Sequence, residues 1–349
     1  ERLRSKDKTW EVIETTNIGF DLGLFSNRLT FVGDYYWKYN NDMLIDFQLP
    51  STVGAKVPKG NLGKLKTWGW EFEIGWKDKI QEVSYQVSFN LSDSQNKLVE
   101  YNGINEIKAG AVSYIEGYPI NTIWGFQTNG YWSSRQEYLD YKAANPGYES
   151  FNDAKISGGD VRYVAQGKAD HTLKGSGTTE DPADLVYLGN SNGRYLYGLN
   201  LAVQWKGFDF SMLWQGVAKR DIIVNTATIA PLYQSYNMPW TMHRDYWTED
   251  NQDAYWPRLY NYSGNDFNFK ASDKWVQDAS YIRLKNIQLG YTIPIDNKIV
   301  NRCRVYVSGD DVWEYTKLLD AFDPEVKNNA SASYYPFFRT WTVGLNLTF

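Results

Sequence analysis

The stretch that decides the fold is RTWTVGLNLTF, Arg339–Phe349, at the end of the chain. Trp341, Val343, Leu345, Leu347 and Phe349 alternate without fault against Thr340, Thr342, Gly344, Asn346 and Thr348. Successive side chains of an extended chain point to opposite faces, so a period of two predicts a strand with one apolar and one polar face. The pattern recurs upstream. Ile18, Phe20, Leu22 and Leu24 alternate with Asn17, Gly19, Asp21 and Gly23, and Val83, Tyr85, Val87, Phe89 and Leu91 alternate with Ser84, Gln86, Ser88, Asn90 and Ser92. Tyr195, Tyr197, Leu199, Leu201, Val203 and Trp205 do the same against Gly198, Asn200 and Gln204, and Phe208, Phe210, Met212 and Trp214 continue the theme after a tight turn.

Counting on this pattern gives about nine strands, near residues 9–24, 28–40, 63–77, 82–97, 191–206, 207–222, 275–293, 302–316 and 337–349. The connections alternate short and long. Short turns fall at Phe25–Arg28, Lys77–Gln81, Lys206–Gly207 and Pro294–Arg302; long ones cover 41–62, 98–189, 223–274 and 317–336. A membrane barrel has tight turns on one side and long loops on the other, whereas a sandwich has no reason to differ between its ends. The fold class expected is all-β, an antiparallel transmembrane β-barrel with long extracellular loops. Bacterial single-chain barrels have even strand counts, so an odd count predicts a further ascending strand upstream of Glu1. In the longest loop, Ser134–Ala144 reads as a short helix with a Ser cap, stopped at Asn145, Pro146 and Gly147, and a second helix is expected near Tyr236–Trp247. One strand is untidy: Ile287, Leu289, Tyr291 and Ile293 hold one phase while Ile282 and Leu284 hold the other, which a bulge or a loop-covered upper half would each explain.

Composition agrees with this class. Among 349 residues, 17% are aromatic, including 15 Trp and 27 Tyr, and the mean hydropathy is −0.54. No stretch approaches the roughly 20 apolar residues of a membrane helix, so a helical membrane protein is excluded. Net charge is −5 with scattered Lys and Arg, which leaves no electrostatic footprint for nucleic acid. Cys303 is the single cysteine, so an internal disulfide and a cysteine-based metal cluster are ruled out. The polar opening, Glu1–Lys8, has neither initiator Met nor signal segment, which reads as a mature fragment or a chain whose upstream part is absent.

Five stretches carry a family resemblance: NIGFDLGLFSNRLTFVGDYYWK (Asn17–Lys38), GWEFEIGW (Gly69–Trp76), DASYIRLKNIQLGYTIP (Asp278–Pro294), SGDDVWEYTKLLDAFDPE (Ser308–Glu325) and the closing RTWTVGLNLTF. In these, and in their order along the chain, it resembles the SusC/RagA-type TonB-dependent transporters of Bacteroidetes. The resemblance implies the C-terminal portion of an outer-membrane barrel of roughly 22 strands with a plugged lumen, with plug and TonB-contacting segment absent from this chain. It further implies a SusD-like surface lipoprotein as partner, a dimer of transporter–lipoprotein pairs, and import energised by the TonB–ExbB–ExbD complex, with no cofactor and no enzymatic step. The solute expected from family habit is oligosaccharide, with oligopeptide as the alternative. Family members often carry, after a Gly-Asp-x-x-Tyr segment, an acidic loop resembling a calcium site. Here Gly159, Asp160 and Tyr163 remain, but Gly167, Lys168, Ala169 and Asp170 stand where the acids would fall, and six or more oxygen ligands are hard to assemble from them. No bound metal is expected.

Phe349, with Leu347 and Trp341 on the same phase, looks like the terminal signal by which barrels are handed to their assembly machinery, against a plainer reading as terminal packing. Tyr35, Trp37, Trp70, Trp76, Trp205, Trp214 and Trp341 suit interfacial girdles better than ligand contacts, and Asp21, Glu71 and Glu73 fall on the opposite, lumenal phase. Loop residues are the substrate-binding candidates: Trp124, Trp132, Trp240, Trp247, Trp256 and Tyr260, beside Asp245, Glu249, Asn251 and Asp253. Rings next to acids and amides suit sugars, which offer an apolar face and a hydroxyl rim; packing of loop on loop, or onto the lipoprotein, is the competing reading for each ring. Enzyme readings find little. His171 and His243 lie far apart without ligand spacing, and a paired-carboxylate glycosidase rests only on the abundance of Asp. A soluble, aromatic-rich glycan-binding β domain is the other alternative; it predicts folding without detergent and connections of similar length at both strand ends.

Overall fold

The structure, a computed structural model, describes residues 8–46, 59–103, 105–224, 229–232, 238–260, 266–295, 299–320, 322–325, 329–330 and 337–349. Its frame is one nine-stranded antiparallel sheet in which each strand pairs with the next along the chain. The strands are β1 (Val12–Leu24), β2 (Leu29–Asp46), β3 (Lys59–Ile80), β4 (Val83–Tyr101), β5 (Arg194–Trp205), β6 (Phe208–Lys219), β7 (Tyr281–Ile293), β8 (Arg302–Thr316) and β9 (Thr340–Thr348). At up to 22 residues they far exceed the roughly 5–6 usual in globular sheets. Among the described residues no helix is long and apolar enough to cross a membrane, and the crossing element here is the strand.

Register separates the two faces. One row of mutual partners runs across all nine strands as Leu24, Leu29, Trp76, Val87, Leu201, Met212, Ile287, Gly309 and Trp341. The neighbouring row, one residue away along each strand, reads Gly23, Thr30, Gly75, Ser88, Asn200, Leu213, Asn286, Asp310 and Thr340. The first row is apolar throughout apart from Gly309, which has no side chain; the second is polar or small except at Leu213. The apolar side chains do not meet across a dry interior. On β9 they range from 45% exposed at Leu347 to 81% at Val343, as expected of a face covered by lipid. Asp21, Asp34, Glu71 and Glu73 all fall on the polar phase, where Asp34 opposes Glu71, and Asp21 and Glu73 both oppose Val32.

The untidy strand is resolved by a bulge. Between Leu284 and Asn286 the register of β7 slips against both neighbours, with Leu213 and Trp214 adjacent on β6 and Asp310 and Trp313 flanking the slip on β8. The extra residue, Lys285, restores phase, so Ile282 and Leu284 rejoin the apolar face that Ile287 and Leu289 occupy below. On β8 the slip places Asp311 at φ +52°.

Strand ends depart from the sequence reading in one direction. Residues 41–46 and 59–62, expected as part of a long connection, extend β2 and β3, and residues 98–101 extend β4. Asn40, Asn41 and Asp42, where the expected strand ends and the expected connection begins, form a bulge inside β2, with Asp42 at φ +56° and the register shifting between Asn40 and Met43. Residues 47–58 lie outside the described set. The short turns at Phe25–Asn27, Gln81 and Lys206–Gly207 carry the positive φ values that tight hairpins demand.

Candidate functional site

The long connections gather at one end of the sheet and fold into packed bodies. The first, between β4 and β5, has its own core of Trp132, Tyr138, Tyr148, Phe126, Tyr163 and surrounding aliphatics. Its helix, Arg135–Ala144, starts where the sequence placed it: Ser134 accepts from the Glu137 amide at 3.1 Å, and Asn145 caps the far end. The second body, between β6 and β7, centres on Trp256, Trp275, Phe269 and Ile222 and also takes in Leu318 and Phe322. The helix expected near Tyr236–Trp247 is reduced to one 3₁₀ turn, Thr241–Arg244, while 236 and 237 fall outside the described residues. His243 explains the short turn. Its Nδ1 accepts from the Trp240 amide at 2.8 Å and its Nε2 donates to the Ile229 carbonyl at 2.8 Å, after which Tyr246 and Trp256 form a parallel bridge and the Trp247 amide donates to the Trp256 carbonyl. Burial holds its pKa below the usual histidine range, consistent with a neutral, structural ring.

The Gly-Asp-x-x-Tyr segment joins the two bodies. Asp160, fully buried, accepts from Tyr260 Oη at 2.6 Å, from Asn268 Nδ2 at 3.0 Å and from the Ser157 amide at 2.8 Å, with Arg258 at 3.7 Å. Burial pushes its carboxyl above the ordinary range in spite of these donors. Tyr163 Oη donates to the Phe267 carbonyl at 2.7 Å. Gly159 sits at φ +83°, and a Cβ there would fall 2.5 Å from the Trp247 ring, so both backbone and space require glycine. A second clasp is Lys274, whose ammonium lies 4.7 Å from the Tyr131 ring and 4.9 Å from the Tyr255 ring and donates to the Tyr255 carbonyl at 2.7 Å. Desolvation lowers its pKa to about 8. Below, Arg283 engages Glu314, Asp323 and Glu325, and Lys285 engages Asp311 and Glu325, tying the Asp323-Pro324-Glu325 segment to the top of β7 and β8.

Directly after the Gly167–Asp170 segment, the chain places a histidine against a buried carboxylate. His171 Nε2 lies 2.9 Å from Asp184, which also accepts the Gln166 and Lys174 amides at 2.9 and 2.7 Å. Hydrogen bonds to Asp184 and Asp170 raise the His171 pKa. Among the described residues, no group of three or more His, Cys, Asp or Glu is arranged to hold a metal ion.

The substrate candidates separate by exposure. Trp132, Trp256, Trp124 and Trp247 are buried: Trp132 packs edge-on to Tyr138, Trp256 stacks on Trp275 at 5.5 Å, Trp124 donates to Thr122 Oγ1, and Trp247 covers Gly158 and Gly159. Their rings hold the loops together and present no open face. Tyr260 belongs to the Asp160 clamp. Asp245 accepts the Tyr255 amide and Asn251 Nδ2, both at 3.0 Å, which places Asp245 and Asn251 in one exposed turn. Trp240 keeps an open ring, 38% exposed. Phe349, Leu347 and Trp341 lie exposed on the apolar phase of the last strand, Leu347 opposite Cys303 and Trp341 opposite Gly309. The sequence did not single out Tyr187, half-exposed beside a polar cavity of about 330 Å³ at the top of β4, β5 and β6; its only signal is the Asn190-Ser191-Asn192-Gly193 turn that follows.

A sheet with one apolar face, one polar face, tight turns at one end and structured loops at the other defines an outer-membrane β-barrel wall. No family model matches the sequence. The chain is 26% identical over 375 residues to TonB-dependent receptor P26 of Formosa agariphila, covering 100% of this chain and 36% of that protein. It is 24% identical over 361 residues to TonB-dependent receptor SusC of Bacteroides thetaiotaomicron, covering 97% and 32%. Among solved structures it matches the RagAB peptide transporter with a TM-score of 0.77 at 21% identity, over 99% of this chain and 36% of that one. The chain thus spans about a third of the length of the relatives it matches. Across its whole length it is similar to TonB-dependent transporters of the SusC/RagA type, and its nine strands are barrel wall of that type, in the bacterial outer membrane.

Proposed function

We propose that this chain supplies wall, loops and partner surface to a TonB-dependent importer that carries oligosaccharide across the outer membrane. The observation that supports it is the two-faced sheet, with its apolar rows turned to lipid and its polar rows to a lumen, under loops folded as rigid bodies. In this reading the connections 98–189 and 223–274 are extracellular and capture solute together with a SusD-like lipoprotein. The TonB–ExbB–ExbD complex supplies force through a plug contributed by sequence outside this chain. Exposed Trp240 and the Asp245–Asn251 turn are the contacts retained from the loop candidates; Trp124, Trp132, Trp247, Trp256 and Tyr260 act by shaping the loops. Phe349, Leu347 and Trp341 serve as the barrel-assembly signal. No covalent chemistry is performed, in keeping with relatives named as receptors and transporters.

Import of oligopeptide by the same machinery is the second reading, favoured by the likeness to RagAB, which is a peptide transporter. Growth of a strain deleted for the whole transporter, on glycans or peptides as sole nutrient, decides between them. Loss on glycans alone supports the first reading, loss on peptides alone the second, and growth unchanged on both contradicts import of either.

A further inference from the structure

The polar cavity at the root of the longest loop has the construction of a ligand site. Ser94, Asn96 and Lys219 lie on the polar phase of β4 and β6, so it opens on the lumenal face of the sheet. Its volume, about 330 Å³, is at the lower end of the roughly 300–1,000 Å³ usual for small-molecule sites. On one side stands Tyr187. Its ring stacks on Tyr118 at 6.3 Å and takes the edge of Trp124 at 5.7 Å, and it remains 45% exposed. The pairing of Val186–Asn190 with Thr122–Gly125 slips between Tyr187 and Gly189, a bulge of the kind that re-aims a side chain.

The remaining wall is fixed by its own hydrogen bonds. The Ile120 amide donates to Asn96 Oδ1 at 2.8 Å, leaving Asn96 Nδ2 as a donor, and the Ile120 carbonyl accepts from Asn190 Nδ2 at 2.9 Å and Asn192 Nδ2 at 3.0 Å. Asp221 accepts the Asn190 amide at 3.1 Å and lies against Gly189, where a Cβ would exclude it. Preorganised amides, a carboxylate and an ammonium thus surround one braced, open ring.

We propose that this cavity is a pyranose subsite, with Tyr187 as the platform for the C–H face of a sugar and Asn96, Asp221 and Lys219 as partners of its hydroxyls. This rests on the import reading and deepens it by committing that site to glycan. Peptides are commonly read through main-chain bonds to a strand edge or through apolar grooves; here the side-chain amides of Gln95, Asn96, Asn190 and Asn192 stand beside an aromatic face, with Pro119 and Leu188 completing the wall, a mixture that suits a sugar ring.

The test is calorimetric titration of the full-length transporter in detergent with α-1,4-, β-1,4- and β-1,3-linked hexasaccharides and with a mixed pentapeptide pool. At least one hexasaccharide should bind. Tyr187→Ala should weaken it by about tenfold or more, Tyr187→Phe should keep most of the affinity, and Lys219→Gln, on an exposed side chain, should weaken it without touching the fold. Heat-modifiable mobility checks that each variant is a closed barrel. Hexasaccharide affinity unchanged in both Tyr187→Ala and Lys219→Gln overturns the subsite while import stands. Binding of peptide alone, or of neither class, overturns the glycan assignment, and the deletion-strain growth panel reports separately on import.

Discussion

Asp160 shows how one side chain fixes the geometry of two loops. With no exposed surface and three donors converging on it, its removal leaves Tyr260, Asn268 and the Ser157 amide facing a void and Arg258 without its carboxylate neighbour. Each buried polar group left unpaired costs about 1–3 kcal/mol, so Asp160→Ala should destabilise the loop assembly by about 3 kcal/mol while sparing the sheet. Limited proteolysis should then cut within 98–189 or 223–274 far faster than in the parent, with heat-modifiable mobility of the barrel unchanged. His171 gives a pH dependence of defined sign. Its folded pKa is raised by Asp184 and Asp170, so the stability it contributes is fully present below its unfolded value of about 6.5 and is lost as pH rises through the folded value. Hydrogen exchange of the Gln166 and Lys174 amides, both bonded to Asp184, should accelerate between neutral and alkaline pH beyond the chemical rate. His171→Gln should remove that extra acceleration.

Among the strands, phase is what matters. Leu199 lies on the apolar phase between Phe89 and Trp214, and Asn200 on the polar phase between Ser88 and Leu213. Arginine on the lipid side near mid-depth costs about 2–4 kcal/mol, so Leu199→Arg should lower the urea midpoint of the folded barrel strongly and Asn200→Arg only slightly. On β9, the Tyr306 ring lies over Gly344 where any Cβ would collide with it. Overpacking of this kind costs about 1–3 kcal/mol, so Gly344→Val should reduce assembled barrel in the membrane, and Tyr306→Ala should restore it. The sheet was legible from sequence because unlike solvents on its two sides force a strict period of two, and a slip of one residue would turn every side chain to the wrong face. Legibility failed at Asn40–Asp42, where a bulge reads as the end of the strand, and at Lys285 the pattern leaves a bulge as one of two explanations, because one inserted residue carries no compositional mark of its own.

For the molecule as a whole, the loops are a second folded layer rather than trim. Aromatic composition cannot tell a ring that binds from a ring that packs, since both require a large apolar surface beside polar neighbours; that is why Trp132 and Trp256 were indistinguishable from Trp240 until burial separated them. Tyr187 was hidden for the converse reason, its exposure being set by Trp124 and Tyr118, which only the fold brings beside it. The Asp160 and Lys274 clasps make the two large loop bodies one assembly, so solute capture in this account moves them together.

The account stands or falls on what each face of the sheet touches, and nitroxide scanning of β5 measures it directly. In a Cys303→Ser background of the full-length transporter in lipid bilayers, labels are placed singly from Tyr197 to Trp205. Oxygen accessibility should peak at Leu199, Leu201 and Val203, and accessibility to a water-soluble nickel chelate at Gly198, Asn200, Ala202 and Gln204. Flat profiles, or profiles of opposite phase, would contradict the assignment of the apolar face to lipid.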